Sequence, residues 1–215
     1  MKKLLLFMAF AIFVYANSTA QEGKIRFGVK AGLNVASLGG DYVDGFDPRL
    51  SFHLGGLVEI PLVGKFAIQP ELLYSSQGYK YNSYLGYDED YNSHVSLDYI
   101  NVPVMAKYYI IEGLSVELGP QVGVLVSAKS KYEDSDGTDK MDVKDGYKSI
   151  ELAMGIGASY RLKNGVFFSL RFNKGISNIN DTSIFYYDGG DEPIYNETTY
   201  KRKNNVFQVS SGYSF

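Results

Sequence analysis

The last eleven residues of the sequence alternate between two kinds of side chain. The odd positions are mostly apolar, with Phe207, Val209, Ser211, Tyr213 and Phe215, and the even positions are small or polar, with Gln208, Ser210, Gly212 and Ser214. This alternation predicts a β-strand with one apolar face and one polar face. Such a strand has to pair with others, and a closed sheet gives it a neighbour on each side.

Seven further segments alternate in the same way, so the sequence predicts eight strands in all. We expect them at residues 25–35, 50–60, 66–77, 99–110, 116–128, 148–161, 166–174 and 205–215. The connections between them are alternately long and short, and strands of about 10 residues joined in this rhythm are typical of outer-membrane barrels. An even number of strands places both termini on the periplasmic side. The predicted fold is all-β, an eight-stranded antiparallel up-and-down transmembrane β-barrel.

The competing interpretation is a soluble, lipocalin-like barrel with its apolar face inside. The polar faces argue against it, because they consist largely of Gly, Ser, Asn and Gln, which suit a narrow, crowded interior. Aromatic residues near the strand ends also fit the interfacial girdles of a membrane barrel. These residues are Tyr74, Tyr108, Tyr160, Phe168, Phe207, Tyr213 and Phe215.

The first twenty residues have the pattern of a secretory signal peptide. Lys2 and Lys3 precede an apolar run of about a dozen residues, which is too short to span a bilayer, and Ser18, Thr19 and Ala20 form a small-residue cleavage site. A buried N-terminal helix is the alternative, but this run is not amphipathic. We expect a signal peptide over residues 1–20 and a barrel domain over residues 21–215.

Charge and cysteine content restrict the class of protein. Removal of Lys2 and Lys3 changes the formal net charge from −3 to −5, which is not typical of a nucleic-acid-binding protein. The sequence contains no cysteine, so an exported chain of this kind relies on hydrogen bonding and packing for its stability. A closed barrel meets that requirement.

Three prolines interrupt the alternating pattern. Pro70, Pro103 and Pro120 lie inside the third, fourth and fifth predicted strands. Because proline has no N–H to donate to a neighbouring strand, we expect bulges or local unpairing there.

The chain resembles a family of outer-membrane β-barrel proteins common in Bacteroidetes, often called PorT-like or porin-family proteins. The resemblance lies in residues 27–34 (FGVKAGLN), 69–75 (QPELLYS), 99–104 (YINVPV), 118–120 (LGP), 171–178 (RFNKGISN) and 212–215 (GYSF). It implies an OmpX/OmpA-like barrel in the outer membrane of a Gram-negative bacterium. It also implies that barrel-insertion machinery reads the C-terminal strand through Tyr213 and Phe215. The family is functionally mixed, so the resemblance does not specify an activity.

Nine charged residues fall on the polar faces of the predicted strands. They are Arg26, Lys30, Lys107, Arg161 and Arg171 together with Glu59, Glu71, Glu117 and Glu151. In a narrow barrel we expect them to pair across the interior, because an unpaired buried charge is costly. Such a network serves either as a polar plug or as a selectivity filter and gate, and an eight-stranded barrel has little room for more than its side chains.

The sequence predicts no catalytic, cofactor or metal site. His53 shares a strand face with Ser51 and Glu59, which suggests a lipid-modifying enzyme, but residues on one face do not make a catalytic triad. His94 is expected in a loop. The acidic residues 133–139 do not match the EF-hand template, which needs glycine at the sixth position; counted from Asp134, that position is Asp139.

Tyrosine-rich external loops are the strongest functional candidates. The first such loop, expected over residues 78–96, contains Tyr79, Tyr81, Tyr84, Tyr87 and Tyr91 with the acids Asp88, Glu89 and Asp90, and the last contains Tyr186, Tyr187, Tyr195 and Tyr200. Tyrosine favours recognition surfaces, although these rings also fit packing at the rim or in lipopolysaccharide headgroups. The expected partners are therefore the lipid bilayer, lipopolysaccharide and a surface ligand or protein. A narrow transport pore and a secretion-associated PorT-like component are the alternatives to a structural or surface-interaction role.

Overall fold

The computed structural model describes residues 24–81, 93–134, 137–181, 185–186, 194–195 and 200–215, so the predicted signal peptide lies outside the described residues. Eight long strands account for most of this chain. They are β1 (Arg26–Gly40), β2 (Phe46–Pro61), β3 (Phe66–Tyr81), β4 (His94–Ile111), β5 (Leu114–Asp134), β6 (Ile150–Arg161), β7 (Val166–Gly175) and β8 (Arg202–Ser214).

The eight strands form a closed antiparallel barrel. Each strand pairs with the next in sequence, and β8 pairs with β1 from Gly28↔Ser214 to Gly40↔Arg202. Because the first and last strands meet, no barrel strand is left as an edge along its whole length. The prediction of an eight-stranded up-and-down barrel is confirmed.

Several strands continue beyond their predicted ends on the side of the long connections. β3 and β4 remain paired through Tyr79↔Val95 and Lys80↔His94, so the loop expected over residues 78–96 begins later and ends earlier. β5 continues to Asp134 and turns back as a short strand, Gly137–Asp142, that pairs with it. The long connection expected between the predicted strands 116–128 and 148–161 is therefore partly a hairpin, which the sequence pattern missed because this stretch has few apolar residues.

Other elements are short. A one-turn 3₁₀ helix spans Lys144–Gly146, and Phe185–Tyr186 pairs with Ile194–Tyr195. No helix among the described residues is long and apolar enough to cross a membrane.

The three prolines lie at nearly the same level on three adjacent strands and interrupt the pairing without changing its register. Beside Pro70 the β2–β3 pairing stops at Leu57↔Glu71 and resumes at Ile60↔Ile68. Pro103 interrupts β3–β4 in the same way, and Pro120 interrupts β4–β5. The missing N–H thus produces local unpairing, as predicted. The register shifts lie elsewhere, between Pro48 and His53 and near Tyr99 and Tyr109.

Apolar side chains cover the outside of the barrel. Phe27 on β1 is 61% exposed, Leu50 on β2 is 64% exposed and Ile156 on β6 is 59% exposed, and the outward positions of the other strands are similar. Water-soluble monomers do not expose a continuous apolar belt of this kind, so the soluble, lipocalin-like alternative is wrong. The belt spans about eleven residues of each strand from the short-turn end, which matches the length needed to cross a bilayer.

Aromatic rings lie at the short-turn end of this belt. Phe66 contacts Tyr108 with ring centres 5.0 Å apart, and Tyr213 contacts Phe215 at 5.2 Å. Tyr160 and Phe168 are exposed at neighbouring positions. This arrangement fits an interfacial girdle.

Candidate functional site

The interior of the barrel near the short turns is organised around Glu59 on β2. Its carboxylate accepts hydrogen bonds from Arg26 Nη1 at 3.0 Å, Arg161 Nη1 at 2.8 Å, Lys107 Nζ at 3.0 Å and the Tyr109 hydroxyl at 2.6 Å. Alternation along the strands turns all these residues inward. One carboxylate thus forms ion pairs with three cations, so the net charge of this group is positive.

A second charged group lies deeper in the barrel, around Arg171 on β7. Its Nη1 and Nη2 donate to the two oxygens of Glu71 at 2.9 and 2.6 Å, and its Nε donates to Glu117 Oε1 at 2.7 Å. Lys30 Nζ also donates to Glu71, at 3.0 Å. The side chains of these four residues are at most 1% exposed. Two cations and two carboxylates balance here, as burial requires.

Gln69 on β3 joins the two charged groups. Its amide nitrogen donates to Glu71 Oε1 at 2.7 Å, and its amide oxygen accepts from Lys107 Nζ at 2.9 Å. A continuous chain of hydrogen bonds therefore runs from Glu59 through Lys107 and Gln69 to Glu71. Beside it lies a cavity of about 20 Å³, which has room for about one water molecule.

The prediction that the interior charges pair is confirmed for eight of the nine residues, and Glu151 is the exception. Its buried carboxylate accepts from Asn204 Nδ2 at 3.2 Å, and the same amide lies 3.4 Å from the Tyr99 hydroxyl. A neutral amide thus replaces the expected cation, at a level nearer the outer mouth than the two charged groups.

His53 is fully buried between two polar partners. Its Nδ1 lies 2.8 Å from Asn34 Oδ1 and its Nε2 lies 2.8 Å from Ser210 Oγ. Because the Asn34 oxygen can only accept, His53 donates through Nδ1, and in the neutral imidazole Nε2 then accepts from the Ser210 hydroxyl. Ser51 donates instead to the Ser76 carbonyl at 2.7 Å. The structure therefore does not bring Ser51, His53 and Glu59 together as a triad.

A cluster of mostly apolar side chains is packed at the long-loop end of the barrel, and we call it the outer cluster. Its buried members are Tyr79, Val95, Leu97, Tyr99, Leu125, Ala128 and Ile179, and Leu38, Phe46, Val143 and Tyr147 pack against them. Residues from two connections take part, Val143 and Tyr147 between β5 and β6, and Ile179 between β7 and β8. The cluster thus joins the barrel wall to its loops.

A hydrogen bond fixes the outer cluster on one side. The hydroxyls of Tyr79 and Tyr147 are 2.8 Å apart, and Phe46 contacts Tyr79 edge-on at 4.8 Å between ring centres. Burial raises the pKa of Tyr147 above its ordinary value, so this phenol stays protonated where it packs against the outer cluster.

Sequence reasoning missed the outer cluster because the alternating pattern reverses above the apolar belt. On β4, Ile100 and Val102 face outward in the belt, whereas Val95, Leu97 and Tyr99 face inward beyond it. The adjacent apolar pair Tyr99 and Ile100 marks the reversal. Two consecutive apolar residues in an alternating strand are the signal that could have located the cluster.

The tyrosines assigned to the first external loop do not form one surface. Tyr79 is buried in the outer cluster rather than in a loop, whereas Tyr81 ends β3 and is exposed. Tyr84, Tyr87 and Tyr91, like Asp88, Glu89 and Asp90, lie outside the described residues. In the last connection, Tyr200 packs edge-on against Tyr42 at 4.7 Å, Tyr186 and Tyr195 belong to short strands, and Tyr187 lies outside the described residues.

Two other expectations concern possible ligands of a metal ion. His94 is not in a loop but begins β4, where it pairs with Lys80 and Lys131. Within the acidic stretch, Glu133 pairs with Thr138 and Asp134 pairs with Gly137 in the hairpin. In the part of the chain that the structure describes, no group of three or more His, Asp or Glu side chains is arranged to hold a metal ion.

Comparison with known proteins gives one family match. The profile of the family described as outer membrane protein beta-barrel domain matches residues 16–181, more than half of the chain. No curated protein matches the chain.

Similar solved structures are outer-membrane or surface proteins of low sequence identity. Ail, the attachment invasion locus protein of Yersinia pestis, is 13% identical with a TM-score of 0.48, and the match covers 90% of this chain and 100% of Ail. Neisserial surface protein A is 11% identical with a TM-score of 0.46, covering 88% of this chain and 97% of that chain. A major outer membrane protein from Thermus thermophilus is 10% identical with a TM-score of 0.48, covering 90% of this chain and 100% of that chain.

Proposed function

The chain belongs to the family of outer membrane protein beta-barrel domains, and from this membership we propose that it is a non-enzymatic barrel, closed to solutes, with a structural or surface-interaction role. Its location is the outer membrane, as the sequence predicted. The proposal concerns what the interior and the external end do there.

The single observation that supports the proposal is that side chains fill the interior of the barrel towards both of its ends. The two charged groups occupy the half near the short turns, and the outer cluster lies across the opposite mouth. A solute would have to break the Arg171–Glu71 pair and displace the outer cluster in one passage. The interior therefore acts as a polar plug under an apolar cover.

Conductance in planar lipid bilayers tests the closed interior. We expect the wild-type barrel to give no discrete channels at physiological salt. The variant Tyr79→Ala/Leu97→Ala removes large side chains of the outer cluster, and Glu112→Gln is a control at an exposed residue of the β4–β5 turn. Discrete wild-type conductance in independent preparations would overturn the proposal.

A narrow transport pore is the second candidate, because the interior charges form a continuous hydrogen-bonded chain along the barrel. A pore of this kind would conduct in the wild type, and Arg171→Ala would change its conductance and ion selectivity. Silence of both proteins in the bilayer removes this candidate.

Exposed aromatic rings at the external end support the surface role. Tyr42 is 71% exposed and contacts Tyr200, and Tyr81 is exposed at the end of β3. Amphipathic rings of this kind favour contact with other proteins or glycans. Adhesion of cells that carry the wild-type barrel should fall in the variant Tyr42→Ser/Tyr81→Ser/Tyr200→Ser at equal surface amount. A secretion-associated, PorT-like role predicts instead that deletion of the protein stops export of other proteins while adhesion is unchanged.

A further inference from the structure

Glu151 on β6 differs from the other interior carboxylates that the structure describes, because it has no ion pair. Glu59, Glu71 and Glu117 each contact at least one lysine or arginine. Glu151 is 3% exposed, and the group that donates to it, Asn204 Nδ2 at 3.2 Å, is neutral. An ionised carboxylate that is buried without a cation is costly, so this position favours a positively charged partner.

Amide oxygens without hydrogen bonds lie around Glu151. Asn101 Oδ1, Gln121 Oε1 and Asn204 Oδ1 are buried and accept no hydrogen bond from the part of the chain that the structure describes. Their residues are at most 4% exposed. The orientation of the Asn204 amide is set by Glu151, because an ionised carboxylate only accepts and therefore contacts Nδ2. Buried acceptors without a partner are uncommon, so three of them beside one carboxylate indicate a ligand.

Gly123 on β5 leaves room between these groups. It pairs directly with Asn101 on β4 and with Glu151 on β6, so it lies between them on the inner face of the wall. A Cβ at this position would lie 2.6 Å from Asn101 Oδ1 and 3.6 Å from Glu151 Cβ. Gln121 is the next inward residue of β5. Asn101, Gln121 and Glu151 therefore surround a gap over Gly123, and Asn204 reaches Glu151 from β8.

We propose that Glu151 and the amide oxygens around Gly123 bind a monovalent alkali-metal cation, Na⁺ or K⁺. Carboxylate and amide oxygens are hard ligands, which prefer ions of this kind to transition metals. Oxygen ligands of a protein can also replace the hydration shell of such an ion.

The charge of the site favours a monovalent ion over a divalent one. Glu151 supplies one negative charge among neutral oxygens, which balances a single positive charge. The group around Arg171 is already balanced, with two cations and two carboxylates, so it supplies no second negative charge. A divalent ion would therefore leave a net positive charge in the interior, which burial disfavours.

Urea unfolding in different salts tests this inference. The detergent-folded barrel is unfolded at neutral pH and equal ionic strength in KCl, in NaCl and in choline chloride, whose cation is too large for the gap, and the gel-mobility shift gives the folded fraction. Glu151→Gln removes the charge but keeps an oxygen that accepts from Asn204. Glu112→Gln is the matched control, because Glu112 is exposed in the β4–β5 turn.

At the urea concentration that half-unfolds the wild type in choline chloride, the ratio of folded to unfolded protein should be about tenfold higher in KCl or NaCl. This is the effect of an ion present at about ten times its dissociation constant. Glu112→Gln should show the same increase, and Glu151→Gln should lose it. Equal wild-type stability in all three salts would overturn the proposal, as would an equal increase in Glu151→Gln. Stabilisation by millimolar CaCl₂ alone would overturn the assignment of a monovalent ion.

A second variant tests the position of the site. Gly123→Ala places a methyl group in the gap, where it meets only side-chain atoms, so it should fold and lose the dependence on alkali-metal ions. Gly56→Ala is the matched control, because the nearest atom to a Cβ there is 3.7 Å away, and it should behave as the wild type. In crystals grown with Rb⁺, the wild type should give an anomalous peak between Asn101 and Glu151 that Gly123→Ala lacks. Absence of this peak from the wild type would overturn the proposal.

Discussion

Arg171 and Glu71 form a bidentate ion pair across the interior of the barrel, although they are 100 residues apart and belong to strands that are not neighbours. Nη2–Oε1 is 2.6 Å and Nη1–Oε2 is 2.9 Å. Two parallel hydrogen bonds between one guanidinium and one carboxylate give a stronger and more specific interaction than a single hydrogen bond. It links β3 and β7 across the interior, where no backbone hydrogen bond can.

Replacement of Arg171 by alanine should destabilise the barrel by about 3–5 kcal/mol, because Glu71 and Glu117 are left as buried carboxylates with one cation between them. Unfolding of the detergent-folded protein in urea, followed by the gel-mobility shift, measures this loss. Arg171→Lys retains the charge and should recover part of it. A loss below about 1 kcal/mol would mean that water enters the interior and screens the carboxylates.

Glu59→Gln should also destabilise the barrel, by about 2–4 kcal/mol. The substitution leaves Arg26, Lys107 and Arg161 without their shared carboxylate, and the smaller figure reflects partial exposure of Arg26 and Arg161. Because the uncompensated charges are cations, raising the salt concentration should reduce the difference from wild type. Urea unfolding at low and high salt checks this, and a deficit that does not depend on salt would contradict it.

The belt and the inward charges could be predicted from sequence because both follow the two-residue period of a strand. Phe27 lies at an odd position of β1 and Lys30 at an even position, and this difference alone assigns Phe27 to lipid and Lys30 to the interior. Partners across the barrel could not be predicted, since they depend on the stagger between strands. Parity places Arg171 and Glu71 inside, but only the register brings them within 2.6 Å.

The outer cluster was not predicted because the environment outside the barrel changes along each strand. In the belt the outer face meets lipid and is apolar, whereas beyond it the outer face meets water and the inner face becomes apolar. Val95 and Leu97 therefore have the opposite parity to Val102 and Val104 on the same strand. If one inward–outward alternation is assumed for the whole strand, such residues do not fit it and are assigned to a loop.

Gly32→Ala should impair folding far more than Gly56→Ala. A Cβ at Gly32 would overlap the Val209 carbonyl oxygen and lie 2.7 Å from Ser210 Cα and His53 Cε1, whereas at Gly56 the nearest atom is the Gly28 carbonyl oxygen at 3.7 Å. Overpacking against backbone costs about 3 kcal/mol. The folded fraction on unboiled gels gives the comparison, and equal folded fractions would show that β1 and β8 can separate at this level.

Closure of the outer mouth should depend on the protonation of Tyr147. An exposed tyrosine ionises near pH 10, and burial raises the pKa of Tyr147, so the closed arrangement favours the neutral phenol. This contribution is complete below about pH 10 and is lost as the pH rises through the raised value, because the open form releases its proton first. Trypsin cleavage after the exposed Lys144 and Lys148 reports the opening, with rates normalised to a short reference peptide at each pH.

We expect cleavage of the wild type to accelerate above about pH 10. The variant Tyr79→Phe/Tyr147→Phe should be cleaved faster than the wild type at neutral pH, and its cleavage rate should change little as the pH rises. Its outer cluster lacks both phenols and the 2.8 Å hydrogen bond between them. That hydrogen bond contributes about 1 kcal/mol, so the neutral-pH rate of the variant should be about fivefold higher. Tyr42→Phe is the matched control, because Tyr42 lies on the exposed rim outside the outer cluster. The same alkaline acceleration in the double variant would assign the opening to another group.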